Sequence, residues 1–462
     1  MSIITDPTIK TLIIRIISVI FFMEIFDAGV LNTSLPQIAK SLHQNPIDLK
    51  AAITTYVLSL GIFIPVSGWC TDRIGEKKTL YIAITTFTLG SIGCALAMNL
   101  TTLVCFRLLQ GVGGGFLMPV ARLVLIRAFG GAHASEAMSR IGLVNVFAML
   151  MAPIVGGLVT TYVHWRCIFI INVPVGLWAL YYIHRYLPFL GGHQYMPFDF
   201  RGFMLVGAGL GSALFLLDMI VYPYITVIVK LSLLFFSIFC FVAYVWHEKR
   251  ASYPLIQRVI FNASFNAVAS GSFLSRLTLV APFFLVPLLL QSVYGFTAAQ
   301  SGLMAIPTAL GALVGRLYVN RMVSFFGFKK TVITSIIFMT IIFSSFIVQT
   351  FVLMPLLFIF QQFLYGIVFV IQIATAHSMA YRCMHEPYVS NASSFYSAVI
   401  QLSASFGIAL TALTMVSVSG HVDLTHSIPI IAFKVVFIIQ AIYGVFAIFA
   451  FSSVSDTTLE AL

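Results

Sequence analysis

Residues 11–35 read TLIIRIISVIFFMEIFDAGVLNTSL, an apolar run long enough to cross a bilayer. Glu24 and Asp27 lie inside it, one helical turn apart. A carboxylate at membrane depth costs about 2.5 to 3.5 kcal/mol on insertion scales. An apolar side chain would fill the same space without that penalty, so the pair implies a water-filled cavity and a task. The natural task is proton exchange. The run is also too long for the apolar segment of a cleaved leader and carries two acids, so it reads as a retained span.

The rest of the chain belongs in the same solvent. With 60% hydrophobic residues, 8% charged residues and a mean hydropathy of +1.03, it cannot hide its apolar surface in a soluble core. The net charge of +11 does not point to nucleic acid, because Lys and Arg are scattered between apolar runs and form no stripe or tail. They read as an orientation signal. Cys70, Cys94, Cys105, Cys167, Cys240 and Cys383 lie in or beside apolar segments without metal-ligand spacing, so they are expected to be reduced packing residues, with no disulfide framework and no metal.

At about twenty residues per crossing, fourteen spans are expected, at 11–35, 51–70, 79–99, 102–126, 140–162, 167–187, 202–220, 224–246, 264–290, 298–319, 330–350, 352–378, 391–418 and 429–452. The loops alternate in charge. One set carries Arg73, Lys77 and Lys78; Arg127 and Arg140; Arg185 and Arg201; Lys249, Arg250 and Arg258; Arg321, Lys329 and Lys330; and Arg382. The opposite set holds little more than Lys40, Lys50 and Arg166. Positive loops stay on the cytoplasmic side, which places both termini there and the chain in the inner (plasma) membrane as a multi-pass protein.

Spans two and ten each feed a loop with a basic residue, a glycine and a basic pair: Arg73, Gly75, Lys77 and Lys78 in one, Arg321, Gly327, Lys329 and Lys330 in the other. The pattern suggests a duplication in which the second copy has lost the acid corresponding to Asp72. The expected organisation is a six-helix bundle at 1–190, a two-helix insertion with its linkers at 191–250 and a second six-helix bundle at 251–462. Transporters built from repeats place their sites between the bundles near the midplane and work by rocking one against the other.

Four stretches carry a family resemblance. Residues 68–78, GWCTDRIGEKK, resemble the signature loop between spans two and three of the major facilitator superfamily. Residues 107–115, RLLQGVGGG, are similar to its fourth-span motif, and 148–157, AMLMAPIVGG, to its span-five antiporter motif. The stretch 165–174, WRCIFIINVP, resembles the subgroup of drug:proton antiporters with fourteen spans, as do Asp27 with Asn32, Leu35 and Pro36, and Asp199 with Gly202. The resemblance implies an all-α major facilitator fold and proton-coupled multidrug efflux. In span five this chain has Ala148 and Ala152 where the family usually has glycine.

The motifs also have a physical reading. Gly68 and Gly75 permit close helix approach and a tight turn. Asp72 can face the partial positive charge of a neighbouring helix N-terminus, so Gly68, Asp72, Arg73 and Gly75 form an expected latch that holds one state and releases in the other. Ala148, Ala152 and Gly156 recur every four residues as a close-packing face, beside Gly157, and Pro153 removes a backbone hydrogen bond. Glu24 and Asp27 share one helical face, where two carboxylates in a low dielectric are expected not to stay ionised together. The resemblance places Arg107 near span one. Asp27 is then the expected proton carrier, Glu24 its tuner or a substrate contact, and Arg107 the group that responds to their charge. A static ion pair between spans one and four is the competing reading.

Arg122, Arg276, Asn32 and Gln110 are the candidate lining of a substrate cavity, while Asp218 reads as interfacial. Spans nine to fourteen contain no acid, so an anionic or zwitterionic metabolite such as a siderophore is the alternative substrate to a drug-like compound. No selectivity filter argues for a channel, no clustered nucleophile or metal site for an enzyme, and no G-x-x-x-x-G-K-[ST] loop for ATP-driven transport. The expected partners are a small-molecule substrate, protons and the lipid bilayer, with no nucleic acid, no cofactor beyond the proton gradient, and a monomer as the working unit.

Overall fold

The computed structural model describes residues 7–129, 131–188, 197–220, 225–384, 389–419 and 428–454, and Arg140 falls outside the side chains it describes. Its helices, in order, are α1 (Pro7–Val30), α2 (Leu35–Ser41), α3 (Lys50–Ile74), α4 (Glu76–Leu96), α5 (Leu100–Phe129), α6 (Gly131–Tyr162), α7 (Cys167–Ile170), α8 (Asn172–Tyr186), α9 (Phe200–Met219) and α10 (Val227–Glu248). They are followed by α11 (Ala263–Leu279), α12 (Ala281–Ser292), α13 (Ala298–Leu303), α14 (Ile306–Phe326), α15 (Phe328–Gln349), α16 (Pro355–Arg382), α17 (Val389–Ser419) and α18 (Ile430–Ser452).

Among the described residues, 13 helical segments are long and apolar enough to cross a membrane. The helix α1 stands outside that set because it carries Lys10, Arg15, Glu24 and Asp27. Its 24 residues nonetheless rise about 36 Å at 1.5 Å each, which is membrane thickness. With α1 the spans number fourteen, and the protein is a multi-pass membrane protein of the expected all-α class.

Three spans are broken where one helix was expected. The sixth divides into α7 and α8 at Ile171, the ninth into α11 and α12 at Val280, and the tenth into α13 and α14 at Met304 and Ala305. Pro282 and Pro307 stand in the first turns of α12 and α14. A proline lacks the N–H that would continue the preceding helix but fits the start of a new one. Tyr365 Oη donates to Leu279 O at 2.6 Å, so one carbonyl freed by the break in the ninth span is satisfied from α16.

The helices α1, α3, α4, α5, α6 and α8 pack together, as do α11 to α18, in which α13 packs on α12. Contact between the two sets runs through α3 against α17 and α6 against α13 and α14. If each span of the first set corresponds to the span eight later, these two seams exchange under the internal repeat. The loops between spans two and three and between ten and eleven follow the same relation. Gly75 (φ 82, ψ 158) and Gly327 (φ 77, ψ 167) each take a left-handed φ between two helices. Each glycine carbonyl then accepts from the threonine four residues on, Thr79 Oγ1 at 2.8 Å and Thr331 Oγ1 at 2.7 Å.

The remaining pair, α9 and α10, pack on each other, with Ser237 Oγ donating to Gly209 O at 2.9 Å. The face of α9 turned inward meets both α3 and α17, so the pair covers that seam. At one end Asp218 forms an ion pair with Lys50 at 3.2 Å, which replaces the interfacial role expected for that acid. At the other, Phe203 packs edge-on against Phe63 and Phe198 against Trp69. Asp199 caps α9 by accepting from Gly202 N at 2.8 Å, and also binds His247 at 2.6 Å and Leu255 N at 3.0 Å, tying both ends of the hairpin together.

Candidate transport site

Asp27 projects from α1 into a dry contact with α5 and α8. Its carboxylate accepts from Arg107 Nη1 at 2.6 Å, Gln110 Nε2 at 2.8 Å and Asn172 Nδ2 at 2.7 Å, and the residue is 0% exposed. Arg107, itself 1% exposed, donates Nε to Ala52 O at 3.2 Å and Nη1 to Gln110 Oε1 at 2.7 Å. Its guanidinium lies 4.0 Å above the Tyr56 ring. Gln110 completes the lattice by donating to Ser91 Oγ at 2.8 Å. Two opposite charges far from water are tolerated when their remaining lone pairs and protons are met in this way.

The resemblance therefore placed Arg107 correctly beside α1, but two expectations change. The two acids do not share one wet crevice, because three donors already enclose Asp27. Gln110 serves this lattice and does not line the cavity. Asn172 and Tyr56 were missed as members. Asn172 lay in the quoted stretch 165–174, where an amide amid apolar residues was the available signal, whereas nothing local distinguishes Tyr56 from other aromatic residues of its span.

Glu24, one turn away, is differently placed. It is 5% exposed, and its Oε2 has no hydrogen-bond partner among the described residues. Arg122 is the basic side chain whose charge acts on it most strongly. The charges of Arg122 on α5 and Arg276 on α11 both reach His377 on α16, so basic groups from both helix sets converge on one region. The Nε atoms of Arg122 and Arg276 have no hydrogen-bond partner among the described residues. His377 itself stacks edge-on against Tyr396 at 5.2 Å.

Beside this charged region a partly open cavity lies between the helix sets, with about 660 Å³ of unfilled space when the solvent at its mouth is included. Asn32 lines it from the turn after α1, Pro153 from α6, Pro282 and Phe283 from α12, and Gln362 and Tyr365 from α16. Of the four expected lining residues, Asn32 is there, and Arg122, Arg276 and Gln110 are not among the residues that line it.

The cavity is closed at the Thr33 end. Gln291 Nε2 donates to Thr33 O at 2.9 Å, Ala299 N to Thr161 Oγ1 at 2.9 Å, and Ser405 Oγ to Thr54 O at 2.9 Å, each bond joining one helix set to the other. A side chain on Gly157 would strike the Ala298 carbonyl, and one on Gly302 the Pro153 carbonyl. Toward the Gly75 end, a Cβ on Gly68 would meet nothing within 4 Å.

The span-five motif divides its labour between two faces. Ala148 and Ala152 are buried. A Cβ on Gly29 would come 2.8 Å from Ala152 Cβ, and one on Gly156 would come 2.5 Å from Val30 O, so this face is the seam with α1. Pro153 and Gly157, one position round the helix, meet the other set. In the span-two loop, Asp72 is half-exposed and pairs with Arg127 at 3.1 Å, and Arg127 also binds the buried Glu76. The expected docking of Asp72 on a helix N-terminus is therefore replaced by a bridge to the end of α5. Arg73 lies 5.1 Å from the Trp69 ring.

Comparison with known proteins gives the same outline. Residues 17–253 match the family model described as Major Facilitator Superfamily. The chain is 30% identical over 408 residues to the protein of Enterobacter sp. (strain 638) that carries the name multidrug resistance protein MdtD, covering 86% of this chain and 84% of the relative. It is 30% identical over 418 residues to a protein of the same name in Yersinia enterocolitica, covering 88% and 87%. Among solved structures, it resembles a bacterial homologue of the human lysosomal transporter Spinster, inward-facing and unoccupied, with a TM-score of 0.66 at 13% identity over 98% of each chain. A D-xylose–proton symporter gives 0.66 at 14% identity, covering 94% of this chain and 97% of that one. At such identities the likeness concerns the fold.

Proposed function

We propose that this chain, which belongs to the Major Facilitator Superfamily, is a proton-coupled exporter of small organic, drug-like compounds that works by alternating access in the inner membrane. One observation carries the reading: a cavity between two helix sets, bonded across at the Thr33 end, lies beside a buried carboxylate, Glu24, one oxygen of which lacks a hydrogen-bond partner among the described residues. The names of the relatives supply the drug-like substrate class. The basic loops set the orientation, with Gly75, Gly327 and both termini in the cytoplasm and the Thr33 end outside. The state described is then closed to the exterior.

The bundles 1–190 and 251–462 rock as bodies, with 191–250 covering one seam. Glu24 exchanges the proton, and Arg122 is the counter-charge that answers its ionisation. Asp27, Arg107 and Gln110 act as the positioning lattice that fixes α1 against α5. This reverses the roles expected for the two acids, because Asp27 is held in a buried ion pair with Arg107 and protonation there would leave that guanidinium without its counter-charge. Gly68, Asp72, Arg73 and Gly75 remain the latch, meeting the second bundle when the cytoplasmic end closes. The working unit is a monomer that performs no covalent chemistry and needs only the proton gradient.

Purified full-length protein in vesicles with an imposed pH gradient tests the reading. A drug-like substrate should move against its own gradient at the expense of the proton gradient. Flux that ignores the proton gradient would make the protein a facilitator or channel.

A further inference from the structure

Among the described residues, no acidic or basic side chain lines the cavity. The Arg107 guanidinium is directed at Asp27, and neither Glu24 nor Arg122 reaches the lining. Its walls are mostly apolar and aromatic, with Pro153, Pro282 and Pro287 beside an edge-on pair, Phe283 and Tyr365, whose ring centroids lie 5.9 Å apart, while among its other polar residues Thr308 donates to Gln362 Oε1 at 3.2 Å. Two lining atoms are buried without a hydrogen-bond partner among the described residues, Asn32 Oδ1 and Ser301 Oγ, and Ser301 is 2% exposed. Polar atoms in such positions usually find a partner. The Tyr365 hydroxyl, by contrast, is already committed to Leu279 O.

We infer that this cavity selects uncharged compounds with an aromatic body that present an N–H or O–H donor to Asn32 Oδ1 and share a hydrogen bond with Ser301 Oγ. The inference rests on the transport reading above and narrows its substrate class. A cationic or anionic ligand would lose its hydration here and gain no opposite charge in return. A neutral donor meets an acceptor that is otherwise left unpaired, and the aromatic walls supply contact area without specifying shape.

Equilibrium binding to the purified full-length protein in lipid nanodiscs tests this with one scaffold. The probes are benzanilide, its ester analogue phenyl benzoate, and benzanilides bearing a trimethylammonium or a carboxylate group. Benzanilide should bind best, and phenyl benzoate, which lacks the N–H, about tenfold more weakly. Both charged forms should be weaker by about tenfold or more. Asn32→Ala should abolish the difference between benzanilide and phenyl benzoate. Asn32→Asp should make the trimethylammonium form the preferred ligand. A charged form binding as well as benzanilide, equal binding of benzanilide and its ester, or no binding of benzanilide would each overturn the inference. Proton-driven flux in vesicles is read separately: its persistence alongside failed neutral selection removes only this inference, whereas its loss with neutral selection intact removes the transport reading.

Discussion

Lys77 and Lys329 make the same bond in opposite halves of the molecule. Each lysine sits two residues after a left-handed glycine and donates Nζ to a carbonyl at or just past the end of its own half's last helix, His184 O in the last turn of α8 at 2.8 Å and Val454 O two residues beyond α18 at 2.6 Å. A cation at a helix C-terminus meets carbonyls that have no partner within the helix, where the helix dipole is negative. The repeat thus extends beyond a loop pattern to a clasp that closes each bundle.

Removing either clasp should weaken its own bundle alone. Lys77→Ala is expected to cost about 0.5 kcal/mol, because its bond is exposed, and Lys329→Ala about 1 kcal/mol, because its bond is partly buried. The two losses should add in the double variant, since separate sites behave independently. Thermal unfolding of the purified protein in detergent measures all three, and a coupled double variant would contradict the paired-clasp account.

Asp27→Asn leaves Arg107 buried without its counter-ion, and a loss of about 3 to 5 kcal/mol is expected. The double variant Asp27→Leu with Arg107→Met should recover much of it, because no uncompensated charge then remains. Stability curves for the single and double variants decide whether the pair acts as a positioning lattice. An Asp27→Asn protein of normal stability with abolished gradient-driven flux would return the carrier role to Asp27.

Glu24→Gln keeps the shape of the side chain and removes its proton exchange. It should fold normally, still bind substrate, and lose proton-driven export by about a hundredfold or more. Exchange measured across a pH series should be flat in the variant and pH-dependent in the native chain. Retained coupling would exclude Glu24 as the carrier.

Packing at glycine predicts a contrast along one molecule. Gly156→Ala should destabilise by about 1 to 3 kcal/mol, because the new methyl meets Val30 O in a seam that can open only by moving α1. Gly68→Ala should change stability by less than about 0.5 kcal/mol, since the space around it is open in this state. Its effect should appear in transport rate, when the cytoplasmic end closes around it. Thermal unfolding read beside initial flux separates the two.

Much of the fold was legible because lipid restricts the choices. A span must be long, apolar and helical, and loops between spans sort by charge, so span count followed from composition and length. The breaks at Val280 and Met304 were not read, although Pro282 and Pro307 marked them. A proline within an apolar run kinks, starts or ends a helix depending on what can satisfy the freed carbonyls, and here that partner, Tyr365, comes from a distant span. The span-one acids were legible as functional candidates, and Arg107 as their neighbour. Their separate environments were not, because helical spacing sets the angle between two side chains and says nothing of which neighbouring helix each one meets.

By itself, then, the amino-acid sequence determined the solvent, the number of crossings and the internal repeat, since each follows from hydropathy and local spacing. Tertiary structure alone decided that three donors enclose Asp27 while one Glu24 oxygen has no hydrogen-bond partner among the described residues, that Gln110 belongs to a lattice, and that no acidic or basic side chain among the described residues lines the cavity. These depend on which faces of α1, α5, α8 and α12 are brought together, and contacts such as those of Asp27 with residues 80 to 145 positions away leave no local trace in the chain.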